Sequence, residues 1–171
     1  MNRRSILGIS AMTTLTLVVL PSSSIAQQKS LKEQIIGTWV IVSSDSTAPD
    51  GSKMQVFGPN PKGILVFDAS GQTVQIIVNP GVPKFKVNNR LKGTPEENTA
   101  AVHGTTATFG TFTVDESSKT ITVRNVGGMF PGQAGTDTKR IVTSVTADEL
   151  KFTNPATAAG MRADNVWRRA K

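Results

Sequence analysis

The pattern of apolar and polar positions divides the chain into two regimes. From Ile6 to Leu20 the residues are predominantly apolar, after a start carrying Arg3 and Arg4 and before Pro21-Ser22-Ser23-Ser24. A positive start, an apolar run short for a membrane span and small residues at Ser24-Ile25-Ala26 are the layout of a secretory signal. Cleavage is expected after Ala26, which makes residues 1–26 a signal peptide and residues 27–171 the folded domain. The protein is then exported, to the periplasm or the extracellular space. Arg3-Arg4-Ser5-Ile6-Leu7 also has the form of a twin-arginine signal, so both export routes stay open.

Beyond Ala26 the apolar positions come in short β-branched runs broken by Gly, Pro, Asp and Ser. Leu31, Ile35 and Ile36 share one helical face within 27–36, and Gly37 can end that helix. Thr38–Ser43 reads as a strand, Ser44–Lys53 as a loop around Pro49-Asp50-Gly51, and Met54–Phe57 as a short strand. Gly63–Phe67 and Thr73–Val78 form a hairpin through the turn Asp68-Ala69-Ser70-Gly71. Lys84–Val87 alternates charged and apolar residues, as on a solvent-edged strand. Thr94 as N-cap and Pro95 at the first helical position start a short helix that runs to His103. Thr105–Val114, Thr120–Asn125, Thr138–Val145, Glu149–Thr153 and Asn165–Arg169 are further strands, and Val126–Thr136 reads as glycine-rich and irregular. No helical pattern of about 10–15 residues separates consecutive strands, so an antiparallel barrel or sandwich is expected rather than a parallel α/β sheet.

Composition narrows the chemistry. The 171 residues include no Cys and one His, which excludes disulfides, thiolate catalysis, lipid attachment through cysteine and multi-histidine metal sites. No metal site and no cofactor is expected. The formal charge is +7, falling to +5 when Arg3 and Arg4 leave with the signal. With aromatic residues at 5%, this charge is a poor argument for nucleic acid. Lys84, Lys86, Arg90 and Lys92 form a basic run that either attracts an anionic surface or ligand, or simply discourages edge pairing.

The motif Gly37-Thr38-Trp39 opens the first strand. In order after it come Phe57-Gly58-Pro59-Asn60-Pro61-Lys62-Gly63, Leu91-Lys92-Gly93-Thr94-Pro95-Glu96-Glu97, Phe109-Gly110-Thr111-Phe112-Thr113-Val114-Asp115, Gly127-Gly128-Met129-Phe130-Pro131 and Gly135-Thr136-Asp137. This succession resembles the bacterial lipocalin-like domain family, small calycin-type β-barrels with a Gly-Thr-Trp start, over about Leu31 to Arg169. The resemblance implies an all-β, antiparallel barrel of roughly eight strands with a short N-terminal helix and a central cavity. It implies no agreed activity. It also implies that an arginine of the last strand packs over Trp39. Alternation allows one of Arg168 and Arg169 to face inward, and with Gly37 and Trp39 we take Arg168 as the signature residue. The chain departs from the family at Arg124, near which a histidine is common, and at Pro131-Gly132-Gln133, where a Pro-Asn-Trp-like run is usual.

Such a barrel has room for side chains or for one small ligand. Candidate cavity residues are Met54, Phe67, Phe109, Phe112, Arg124, Met129, Phe130 and Arg140, with Phe152 as a further apolar wall. Arg140 shares parity with Val142; if inward, it must pair with a carboxylate or meet a ligand anion. No catalytic residue is assigned. His103 lacks a well-placed partner, since Glu96 and Glu97 suit the first helical turn better. The expected function is binding of a small hydrophobic or amphipathic molecule. The alternatives are a barrel enzyme of cyclase or isomerase type and a filled structural barrel. Oligomeric state does not follow from the residues.

Overall fold

The computed structural model describes residues 29–171, and the signal-peptide assignment lies outside them. The elements are α1 (Leu31–Ile35), β1 (Gly37–Thr47), β2 (Lys53–Met54), β3 (Lys62–Phe67), β4 (Gln72–Val78), α2 (Pro95–His103), β5 (Thr105–Asp115), β6 (Thr120–Gly128), a 3-10 turn (Pro131–Gln133), β7 (Asp137–Val145), β8 (Glu149–Asn154) and β9 (Arg162–Arg169). Eight strands close in the order β1-β3-β4-β5-β6-β7-β8-β9 and back to β1, all antiparallel. The two-residue β2 adds to the far end of β1, with Ser46 opposite Met54. Closure removes the open edges that would invite pairing with another chain.

Local chemistry accounts for the turns and caps. Asp68 holds the β3–β4 hairpin by accepting from Gln72 N–H at 3.0 Å and from the Ser70 hydroxyl at 2.6 Å. Thr94 and Glu97 cap α2 reciprocally, with Pro95 at its start. Ser30 and Glu33 do the same for α1. The Glu116 carboxylate, from the β5–β6 turn, accepts from Leu31 and Lys32 N–H, so the first helical turn is tied to the barrel end. Leu31 and Ile35 are buried and close that end.

The barrel has two tiers. The end under α1 is filled by Trp39, Leu65, Phe67, Ile121, Val123, Leu150, Phe152 and Trp167, all 0–1% exposed. Full burial of an aliphatic or phenyl side chain is worth roughly 1.5–3 kcal/mol each, so this tier carries the stability. In the other tier the same inward series turns small or polar. Val123 is followed by Asn125, Trp167 is preceded by Asn165 and Ala163, and Val142 is preceded by Arg140 and Thr138.

A β-bulge sets this change on β1. Ile41 pairs with Trp167 but Ser43 pairs with Val166, so Val42 is an extra residue. Strict alternation from Trp39 would send Ser43 and Asp45 inward; instead Ser44 and Ser46 are buried and Asp45 is exposed. Asp45 then accepts from Gln55 Nε2 at 2.9 Å on the outside.

Several sequence expectations are corrected. Arg169, not Arg168, packs over Trp39: it sits directly opposite Trp39 in the β1–β9 register, whereas Arg168 pairs with outward Val40 and is exposed. Lys84–Val87 forms no strand, because β4 is already paired on both edges and Lys86 N–H is taken by Glu97 at 2.8 Å. The stretch read as irregular after Val126 instead continues β6 to Gly128.

Candidate functional site

The tier opposite α1 encloses a cavity of about 640 Å³, within the roughly 300–1,000 Å³ usual for small-molecule sites. Its walls are the far ends of the barrel strands. Its mouth is framed by α2, by the segment after β2, by the β6–β7 connection and by the β8–β9 loop.

Of the proposed cavity residues, Met54, Met129, Phe130 and Arg140 line this space. The first three are 39–53% exposed and stand at the mouth. Phe67 and Phe112 face inward but belong to the filled tier, where their rings meet edge-on with centroids 4.9 Å apart. Phe152 also lies there, stacked on Trp167. These phenyl groups support the cavity floor instead of lining it.

Arg124 and Phe109 are corrections. The inward residues of β6 are Ile121, Val123 and Asn125, so Arg124 projects outward, with its Nη1 3.2 Å from Asp137 Oδ1 in an exposed ion pair. The inward residues of β5 are Thr108, Gly110 and Phe112, so Phe109 lies on the outer face, half exposed. Its ring covers Gly127, where an added Cβ would come within 2.9 Å.

Sequence reasoning missed Met161, Gln75, Asn125 and Asn165, all of which line the cavity. The available signal was an amide at the same parity as core residues near a strand end. Asn125 uses its amide N–H to bind Thr138 Oγ1 at 2.9 Å and the Thr136 carbonyl at 3.3 Å. Every methionine in the described residues, Met54, Met129 and Met161, lines the cavity. Unbranched thioether side chains adapt to differently shaped apolar ligands.

Arg140 stands at the junction of the tiers. It is 3% exposed, with its Cζ 5.7 Å from the Phe67 ring centre and 5.3 Å from that of Phe152. Burial pushes its pKa down to about 10, so the side chain is a cation at neutral pH. Its Nε and Nη1 are buried and find no hydrogen-bond partner among the described residues. His103 also lines the cavity, near the mouth, at the end of α2. Among the described residues no group of three His, Asp or Glu side chains could hold a metal, and no helix is long and apolar enough to cross a membrane.

Similarity to solved structures is distant. A lipocalin-like protein from Bacteroides uniformis shares 13% identity, covering 80% of this chain and 99% of its own, with a TM-score of 0.43. A redesigned β-barrel, mFAP1, bound to DFHBI shares 14%, covering 82% and 100%, with a TM-score of 0.41. Bovine odorant binding protein in complex with a selenium-containing odorant shares 17%, covering 84% and 74%, also with a TM-score of 0.41. No curated protein matches the sequence. The model of the lipocalin-like domain matches residues 36–170, which take in the Gly37-Thr38-Trp39 start, the closed barrel and its cavity, and the chain belongs to that family.

Proposed function

We propose that this protein binds a small hydrophobic or amphipathic molecule inside the barrel. The observation that carries this reading is the two-tier interior: one half is packed solid, and the other leaves about 640 Å³ behind a mouth of Met54, Met129, Phe130 and Met161. Native mass spectrometry of protein purified from its own host tests it. A recurrent small-molecule adduct, lost on denaturation, is the expected result. A spectrum of the unliganded mass alone, together with no fluorescence gain of N-phenyl-1-naphthylamine on mixing, would overturn it.

The protein acts after export, on this reading, because residues 1–26 have the three parts of a signal peptide. The first capped turn begins at Ser30, so cleavage after Ala26 removes no described element. N-terminal sequencing of the mature protein should start at Gln27, and persistence of Met1 would count against export. The exposed loop holding Lys84, Lys86, Arg90 and Lys92 adds a weak, salt-sensitive attraction to anionic surfaces. Loss of vesicle association in Lys84→Glu/Lys86→Glu would verify that attraction.

A further inference from the structure

Among the described residues, no Asp, Glu or Lys lines the cavity, and Arg140 is the one permanently charged side chain in its lining. The carboxylates borne by neighbouring strand positions are held outside: Asp137 by Arg124, Asp164 by Arg162, and Asp45 by the bulge at Val42. Buried ions in proteins are as a rule paired, since an unpaired one has lost its hydration without replacement. Phe67 and Phe152 offer Arg140 their ring faces, but an aromatic ring is a weak substitute for the oxygen acceptors that a guanidinium fork needs. No described residue hydrogen-bonds Arg140 Nε or Nη1, and the cavity that Arg140 lines is where such acceptors can be supplied.

We propose that the ligand is an amphipathic monocarboxylate that enters head first, with its carboxylate accepting hydrogen bonds from Arg140. This deepens, and rests on, the ligand-binding reading above. One cation with no second permanently charged group among the described lining residues matches a monoanion, and the planar guanidinium fork suits a carboxylate. The apolar body then lies toward Met54, Met129, Phe130 and Met161, the part of the wall richest in apolar side chains. The basic loop favours the same ligand class. It runs from Val82, which lines the cavity, past Lys84 and Lys86 to α2, one of the elements that frame the mouth.

The test is isothermal titration calorimetry at pH 7.5 with decanoate, 1-decanol and decyl phosphate, on the wild type and on Arg140→Met. Decanoate is expected to bind at least about tenfold more tightly than 1-decanol, with decyl phosphate weaker than decanoate. Arg140→Met should abolish the preference for decanoate while keeping 1-decanol affinity within about threefold. Equal wild-type affinities for decanoate and 1-decanol would overturn the carboxylate assignment and leave cavity binding standing. So would a preference that survives Arg140→Met, or tighter binding of decyl phosphate. A wild type that binds none of the three but still takes up N-phenyl-1-naphthylamine would overturn the carboxylate assignment alone, and one that binds neither those three nor that dye would count against the ligand-binding reading itself. Should Arg140→Met fail to fold by circular dichroism, Arg140→Gln replaces it, and the wild-type comparison decides independently of either variant.

Discussion

The guanidinium of Arg169 lies 4.0 Å from the centre of the Trp39 indole, and its remaining N–H groups bind three carbonyls of other segments. Nη1 donates to Ile36 at 2.9 Å, Nη2 to Gln34 at 2.7 Å, and Nε to Ala147. Trp39 in turn donates from Nε1 to the Ile35 carbonyl at 2.8 Å. The last strand, the end of α1, the start of β1 and the β7–β8 turn are thus joined through one side chain. A cation is also favoured where a helix ends in free carbonyls.

Arg169→Ala should therefore cost about 2–4 kcal/mol, combining a cation–π contact with hydrogen bonds from a charged donor. Arg168→Ala should stay within about 0.5 kcal/mol, as expected for an exposed residue. Urea denaturation of the two variants measures the contrast. Equal effects would mean that Arg169 does not hold the barrel end.

Gly37 is required beside this pair. Its φ is +129°, and an added Cβ would come within 2.7 Å of Arg169 Nη1. Gly37→Ala combines backbone strain with displacement of a tied guanidinium, and a loss of about 2–3 kcal/mol is expected. Combined with Arg169→Ala it should cost less than the two single losses added, because the clash is gone. A double-mutant cycle reads the difference.

Arg140→Met should stabilise the ligand-free protein by about 1–2 kcal/mol. The substitution removes an unpartnered buried cation, and an apolar side chain of similar length keeps the contacts with Phe67 and Phe152. Scanning calorimetry of ligand-free samples tests this as a raised Tm. A lower Tm would show that the cation contributes to folding rather than to binding.

Acid should weaken the β5–β6 turn in a defined window. Asp115 accepts from Ser117 N–H, the Ser117 hydroxyl and Ser118 N–H, and these bonds hold its pKa at about 2, below its ordinary 3.8. A carboxylate with a lowered folded-state pKa adds stability that is complete above its unfolded value and lost as pH falls through the folded one. Asp115→Asn should thus be less stable than wild type at neutral pH, with the gap closing between about pH 4 and pH 2. Denaturation midpoints across that range check it, and a constant gap would overturn the assignment.

Much of the fold is legible in the residues because its signals are local. The turn Asp68-Ala69-Ser70-Gly71 and the capped start at Thr94-Pro95 each depend on atoms within about four residues, and both are present as read. Lys84–Val87 shows the limit. Its alternation suits a strand, but a strand needs a free neighbour, and the closed ring offers β4 no third one. The site was legible in part. Arg140 follows from its parity with Val142, and Met54, Met129 and Phe130 from their place near glycine-rich loops. Arg124 and Phe109 carry residue types that suit a cavity but sit on the outward parity.

Most of the strands, their turns, the Gly37-Thr38-Trp39 start and the lack of cysteine can be read from the residues alone, because each is a matter of neighbouring residues or of residue counts. Tertiary structure alone decided which arginine covers Trp39, where Val42 bulges out, and at what level the interior changes from packed to open. Those outcomes arise when eight strands close on one another: a single extra residue reverses every following side chain, and the space left inside depends on volumes contributed by residues far apart along the chain.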